Sequence, residues 1–455
     1  MYDLVIKNGR VVNADASFVA DIAIDDGTIV AIGVGFAGKR EINAAGMLVT
    51  PGAVDIHVHM QLELPGATSS DTFFTGTRAA ASGGTTAIVD FVECKRRETM
   101  LSALNRRRKQ ADSQVVIDYG LHMTIGPHEI DKLDQIPDAI DAGCASFKLY
   151  MAYGHYLDDG QLYRALSALS EHGGFPVIHA ENWRVIEALV AENLAAGNTS
   201  PKYHPISRPA RIEAEAAGRA IDIASYVGTP LHIFHVGCDA TAQRIATARD
   251  AGYAITGETC PQYLMLSEDL YSRSGLDGAL PVCAPPLRTH RDRSAMWKAL
   301  KQGILQIVAT DHCPFTMEQK QYGLDSGDFS KIPGGVPSIE ARFPLIYSHG
   351  VVEGELTENE WVALCCTRPA QMFGFTRKGV IAPGYDADIV IFDPNDEWVI
   401  TPDSLHENCD WTPYNGTRVT GRVRSTFVRG HAIIEDGAFV GTQGSGQFVQ
   451  RNIRR

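Results

Sequence analysis

Ala145–Ala180 reads ASFKLYMAYGHYLDDGQLYRALSALSEHGGFPVIHA, and this stretch decides the fold. Ala145–Tyr150 and Phe175–Ala180 are short apolar runs of strand length. Between them, Asp158–His172 carries Leu, Ala, Arg and Glu at helical spacing. Working outward, further runs are Ala53–His59, Thr85–Val92, Val115–Thr124, Pro230–Val236, Tyr253–Thr259 and Leu305–Thr310, with intervening stretches such as Ala210–Val227 suited to helices. Eight strands alternating with helices predict an α/β fold, a (β/α)8 TIM-like barrel over residues 51–374. A doubly wound open sheet is the competing arrangement, and strand count alone does not separate the two. No internal repeat or low-complexity tract interrupts the pattern.

The flanks read differently. In residues 1–50, short alternating runs (Leu4–Ile6, Val11–Val12, Asp21–Ile24, Ile29–Ile32) are divided by Asn8-Gly9 and Asp26-Gly27, which are hairpin signals. Residues 375–455 hold Asp388–Asp393, Val423–Val428 and His431–Ile434, again short strands. Both ends together predict one smaller β-sandwich domain. The polar, basic tail Gln447–Arg455 reads as a solvated end.

Composition narrows the function. A chain of 455 residues with a formal charge of −13 offers no field for a phosphate backbone or an anionic lipid surface, so nucleic acid is not an expected partner. No uncharged apolar run reaches about 18 residues, so no membrane span is expected. The opening MYDLVIKNGRVV reads as a strand and not as a secretory leader. Nine cysteines without a CxxC pair suggest reduced thiols in the cytoplasm. Two Asn-x-Ser/Thr sites, at Asn198 and Asn415, then carry no weight.

In a barrel of this type, reactive side chains gather at the C-terminal ends of the strands. The first run ends in His57 and His59, two residues apart and so on one face. The fourth carries Lys148 inside an apolar run, the fifth ends at His179, the sixth reaches His235, and the eighth leads to Asp311. His232 lies one residue out of phase. Each has a bland explanation alone: a structural histidine, or a helix N-cap for Asp311. Together, four histidines, a lysine and an aspartate at strand ends, without thiolate, suit a catalytic divalent metal such as Zn, Mn or Co.

The motifs GAVDIHVH, SFKLYMAY, HAEN, GETCPQYL, APPLR and ATDHCPF, in this order, resemble the hydantoinase/dihydropyrimidinase branch of the amidohydrolases. The resemblance covers essentially the whole chain, including LVIKNGRVV, SDTFFTGTRAAASGGTTAIVDF, GYDADIVIFDP and GSGQFVQR. It implies hydrolysis of a cyclic amide in a hydantoin or dihydropyrimidine ring by two divalent metal ions. By that resemblance His57, His59 and Asp311 hold one ion and His179 and His235 the other. N6-carboxylated Lys148 bridges them, and a bridging hydroxide is the nucleophile. Carboxylation requires an uncharged amine, which burial in an apolar strand favours. The resemblance also makes Asp311 the general base and then acid, and Tyr153 the donor to the developing oxyanion. It further implies a homotetramer, with the tail packing on a neighbouring subunit.

The substrate pocket departs from the pattern. Many relatives carry serine before PPLR and asparagine after IP, where this chain has Ala284 and Gly334. Those positions are expected to hold the ring amide through main-chain groups. Leu62, Leu64, Tyr150 and Leu157 are expected to line the wall facing the ring substituent, with Leu157 replacing a larger aromatic and leaving room. Other ureide hydrolases fit less well. A dihydroorotase would carry arginine just after the histidine pair, where Met60 and Gln61 stand, and allantoinase-like chains usually lack Cys313-Pro314-Phe315. A non-catalytic scaffold of the same fold would have lost metal ligands, and all six positions are intact here.

Overall fold

The structure, a computed structural model, describes residues 1–453. Eight parallel strands follow in chain order around a barrel: Ala53–Asp55, Thr85–Val92, Asp118–Ile125, Ser146–Tyr150, Phe175–His179, Leu231–Ile233, Ile255–Thr259 and Ile307–Val308. A bridge between Val58 and His312, with the His59 N–H donating to the His312 carbonyl at 2.8 Å, joins the eighth strand's exit to the first's. An open doubly wound sheet has no such junction. Helices cover the outer face and side chains fill the inside, so the strands are buried on both faces; every residue of Thr85–Val92 is buried.

The helix Asp159–His172 shows how local sequence sets the bounds. Asp158 and Gln161 form a reciprocal capping box at its start. Leu162, Ala165, Leu166 and Leu169 recur at the spacing that turns one stripe to the barrel. Gly173 ends it at φ +85°, where a Cβ would be strained.

The second domain is a β-sandwich built from both termini; eight of its strands follow one continuous path, and a ninth, Gly38–Asn43, pairs with Tyr2–Val12 off it. Leu48–Pro51 is the fastening, parallel to Tyr2–Val12 and antiparallel to Ile389–Val399. Ile6, Ile22, Val49, Ile389 and Phe427 share its apolar core. Asp26-Gly27 turns between strands as expected, but Asn8-Gly9 does not. Tyr2–Val12 is one strand of 11 residues with a bulge there, Asn8 sitting at φ +61° and donating its N–H to Asp21 Oδ1 at 3.1 Å. Gly9 is required because a Cβ would fall 2.3 Å from the Val49 side chain. Two of the C-terminal strands are also longer than expected. Ile389–Val399 continues through Pro394 because its register with Arg418–Val428 breaks between Asp393 and Glu397, so the missing N–H interrupts no ladder bond.

The tail corrects the expectation of a solvated end. Gly446 N–H donates to Val115 O at 3.0 Å, Tyr119 N–H to Gln447 O at 2.9 Å, and Val449 N–H to Tyr119 O at 2.8 Å. Arg451 is buried beneath the barrel, its guanidinium donating to the Leu121 carbonyl. The tail therefore docks on its own barrel. Nearby, Lys378 Nζ sits 2.7 Å from both Asp118 Oδ2 and Asp388 Oδ2, tying the barrel floor to the second domain. No helix among the described residues is long and apolar enough to cross a membrane.

Candidate metal centre

The residues singled out in the sequence meet at the C-terminal mouth of the barrel. His57 and His59 follow the first strand, and their Nε2 atoms lie 3.0 and 3.2 Å from one oxygen of Asp311. His179 Nδ1 and His235 Nε2 face each other at 2.8 Å. Ligand atoms of His57, His235 and Asp311 all fall within 4.8 Å of one another. Lys148 rises from the fourth strand with its Nζ 4.1 Å from the Phe234 ring centroid, 4.8 Å from that of Tyr150 and 5.5 Å from that of Phe91.

The electrostatics suit a metal donor set. Burial pulls the Lys148 amine down to about 7, against the attraction of Asp311 and Glu258. Burial likewise lowers His59, His179 and, most strongly, His235, whose neighbour His179 adds to the effect. Burial opposes ionisation of Asp311, but His57, His59 and His235 outweigh it and hold the carboxyl well below the usual carboxylate range. His57 differs: burial would depress it, yet Asp311 and Glu258 together carry it above its ordinary value. The histidine Nδ1 of His235 is buried and finds no hydrogen-bond partner among the described residues. Converging imidazoles, an ionised carboxylate, an orphaned ring nitrogen and an amine that deprotonates readily fit a divalent metal site.

Several positioning groups were not singled out in the sequence. Glu258, at the end of the seventh strand, shares a hydrogen bond with His57 Nδ1 at 2.6 Å and accepts from the His235 backbone N–H at 3.3 Å. Its other oxygen reaches His232, which Thr256 also holds, so the out-of-phase histidine is a support. Glu181 pairs with His179 Nε2 at 2.8 Å and with Arg208 at 2.6 Å. Carboxylates of this kind fix the ring and tautomer of a ligand histidine. Their signal was an acid at a strand end. Asp55 accepts from Thr310 Oγ1 at 2.6 Å and from its N–H at 3.2 Å, anchoring the approach to Asp311.

Three site residues carry backbone strain: Tyr153 at φ +64°, His235 at φ +39° and Asp311 at φ +51°. Such conformations cost about 1–3 kcal/mol each for non-glycine residues and concentrate at functional sites. Tyr153 lies with its ring 5.3 Å from those of His179 and Trp183, and the Arg208 guanidinium is 5.2 Å from its centroid. Burial pushes its phenol up, so it stays protonated as a donor.

A cavity of about 340 Å³ opens beside His59 and is bounded by Leu62, Phe91, Glu93, Lys95 and Arg106. A larger groove, about 720 Å³, lies on the surface between Asp159–His172 and Ala210–Val227, away from the histidines; the chemistry, not the volume, marks the site. Ala284 and Gly334 sit on neighbouring segments, a Cβ on Gly334 meeting only Cys283 Cα at 4.0 Å. Leu64 belongs to a small hairpin, Glu63–Leu64 with Ala67–Thr68, and is half-buried, as is Tyr150. Leu157 is buried within an apolar cluster, its N–H bonded to Tyr150 O at 2.9 Å.

The amidohydrolase family model matches residues 48–433. The chain belongs to the amidohydrolase family. It is 41% identical to a D-hydantoinase of Streptomyces coelicolor, over 98% of this chain and 97% of the relative. It is 40% identical to a D-phenylhydantoinase of Escherichia coli, over 98% of each. The crystal structure of a D-hydantoinase from Bacillus sp. AR9 superposes with a TM-score of 0.97 at 42% identity, covering 100% of both chains. Amidohydrolases generally depend on a binuclear metal centre, and in this member His57, His235 and Asp311 form a possible metal site at the barrel mouth.

Proposed function

We propose that this chain is a cyclic amidohydrolase of the D-hydantoinase/dihydropyrimidinase type. It opens a hydantoin or dihydropyrimidine ring at a cyclic amide bond and releases an N-carbamoyl amino acid. The observation that supports this reading most is the convergence of His57, His59, Lys148, His179, His235 and Asp311 at one barrel mouth of a chain similar over its full length to hydantoinases.

In this reading His57, His59 and Asp311 hold one divalent ion, zinc first with manganese or cobalt as alternatives, and His179 and His235 hold a second. Lys148, carboxylated on Nζ, would add an anionic oxygen donor to this set. Its neutral-leaning amine is the form that captures carbon dioxide. When bound, the metals supply an acidified water and a Lewis acid for the scissile carbonyl. Asp311 takes the proton from the attacking water and returns it to the ring nitrogen as the C–N bond breaks. Tyr153 donates its hydroxyl to the oxygen that becomes anionic. Main-chain groups at Ala284 and Gly334 receive the ring amide, while Leu62, Leu64 and Tyr150 flank the ring substituent. The protein is proposed to act as a homotetramer in the cytoplasm, a compartment that suits nine unpaired cysteines.

The test is a substrate panel on metal-loaded protein: hydantoin, 5-phenylhydantoin, dihydrouracil, dihydrothymine, allantoin and dihydroorotate. Ring opening of a hydantoin or dihydropyrimidine to the N-carbamoyl acid is the expected result. Turnover confined to allantoin or dihydroorotate, or none at all, overturns the reading.

The role of Tyr153 has its own test. Tyr153→Phe keeps the ring between Trp183 and His179, so metal content and melting temperature should hold. Loss of one oxyanion donor should lower kcat about 100-fold, with a smaller change in KM. A fully active Phe variant would assign Tyr153 to loop packing alone.

A further inference from the structure

Lys320 is a buried cation that the reaction above does not use. It lies on the helix Met317–Asp325 and is wholly inaccessible. Its Nζ donates to the carbonyls of Val282 at 2.8 Å, Pro333 at 2.7 Å and Gly335 at 2.9 Å. Three ammonium protons thus meet three backbone acceptors. Burial pulls this amine down to about 7, with no carboxylate among the groups that oppose it. A charge so enclosed persists only where its hydrogen bonds offset the lost hydration.

The three carbonyls are not scattered. Val282 lies two residues before Ala284, and Pro333 and Gly335 flank Gly334. The same two segments meet through Gly335 N–H to Val282 O at 2.9 Å, and the second bonds to the chain leaving Asp311 through Cys313 N–H to Val336 O at 3.2 Å. With alanine and glycine at the two pocket positions, side chains there contribute little to the junction. Gly334 faces open space apart from Cys283 Cα.

We propose that Lys320 is a positioning residue for substrate binding: its ammonium clamps the two main-chain segments so that the peptide groups at Ala284 and Gly334 present one fixed surface to the ring amide. This rests on the reading above that those peptide groups receive the ring. Lys320 touches no substrate atom and acts only through the carbonyls it gathers.

The test uses the metal-loaded holoenzyme with Lys320→Met, which keeps the length of the stem and removes all three donors. Amide hydrogen exchange is followed in residues 281–287 and 332–336, alongside steady-state kinetics on hydantoin and metal content. The expected result is faster exchange in both segments, full metal content, KM raised about tenfold and kcat within about twofold, the pattern of lost uniform binding. Lys320→Gln, with two amide donors on a shorter stem, should fall between the parent and Met, and it is the variant measured if Met does not fold. Unchanged exchange in both segments overturns the clamp, and this arm reads out whatever the natural substrate is. Faster exchange with unchanged KM also overturns the inference, and it traces the failure to the substrate role of Ala284 and Gly334. A lower melting temperature and kcat with unchanged KM assigns Lys320 a merely structural role and overturns it too.

Discussion

Lys148→Ala is expected to lose one of two metal equivalents and to retain less than about a thousandth of the parent's turnover. The loss should exceed the roughly 10- to 100-fold typical of removing a group that only orients a metal ligand. The reason is geometric. Lys148 stands on the fourth barrel strand with its amine among Phe91, Tyr150 and Phe234, and these ring faces offer no anion to replace a carbamate. Asp311 is engaged with His57 and His59. Metal analysis and steady-state kinetics are the measurements. Acetate or propionate should restore part of the activity by entering the space the side chain vacates. An alanine variant with full activity and two metals would remove Lys148 from the centre.

Asp311→Asn should lower turnover by about two to four orders of magnitude, the scale of a general acid-base group. Metal content should fall less than activity, since the amide keeps an oxygen in place. The backbone at this position permits a clean comparison. Asp311 sits at φ +51°, and asparagine is among the few residues that tolerate that region. Asp55 should still hold Thr310 and the turn that follows. Kinetics at saturating substrate and metal analysis decide the matter; near-normal turnover would contradict the assignment.

The barrel was legible because its strands are covered on both faces and so read as unbroken apolar runs, and the helices between them carry their own caps. The histidines drew notice for a related reason: several polar residues recur at the ends of apolar runs, which a barrel brings to one mouth. What stayed hidden depends on partners far away in the chain. Glu258 serves His57 across 201 residues, and nothing in GETCPQYL says so. Lys320 binds backbone carbonyls, which look alike in any sequence. Asn8-Gly9 misled because the same dipeptide makes a turn or a bulge, and the choice lay with Val49 and Asp21.

The strand Leu48–Pro51, which fastens the second domain, sets the order of biogenesis. Its antiparallel partner Ile389–Val399 leaves the ribosome about 340 residues later, a delay of roughly 20–70 s at ordinary elongation rates of about 5–20 residues per second. Throughout that interval an apolar strand edge waits unpaired while the barrel's strands emerge behind it. The barrel floor waits longer still, since Arg451 and the Gln447–Val449 pairing with Tyr119 lie beyond that partner in the chain. Neither domain is complete before these distant segments have emerged, so both depend on pairings that form long after their first strands are made.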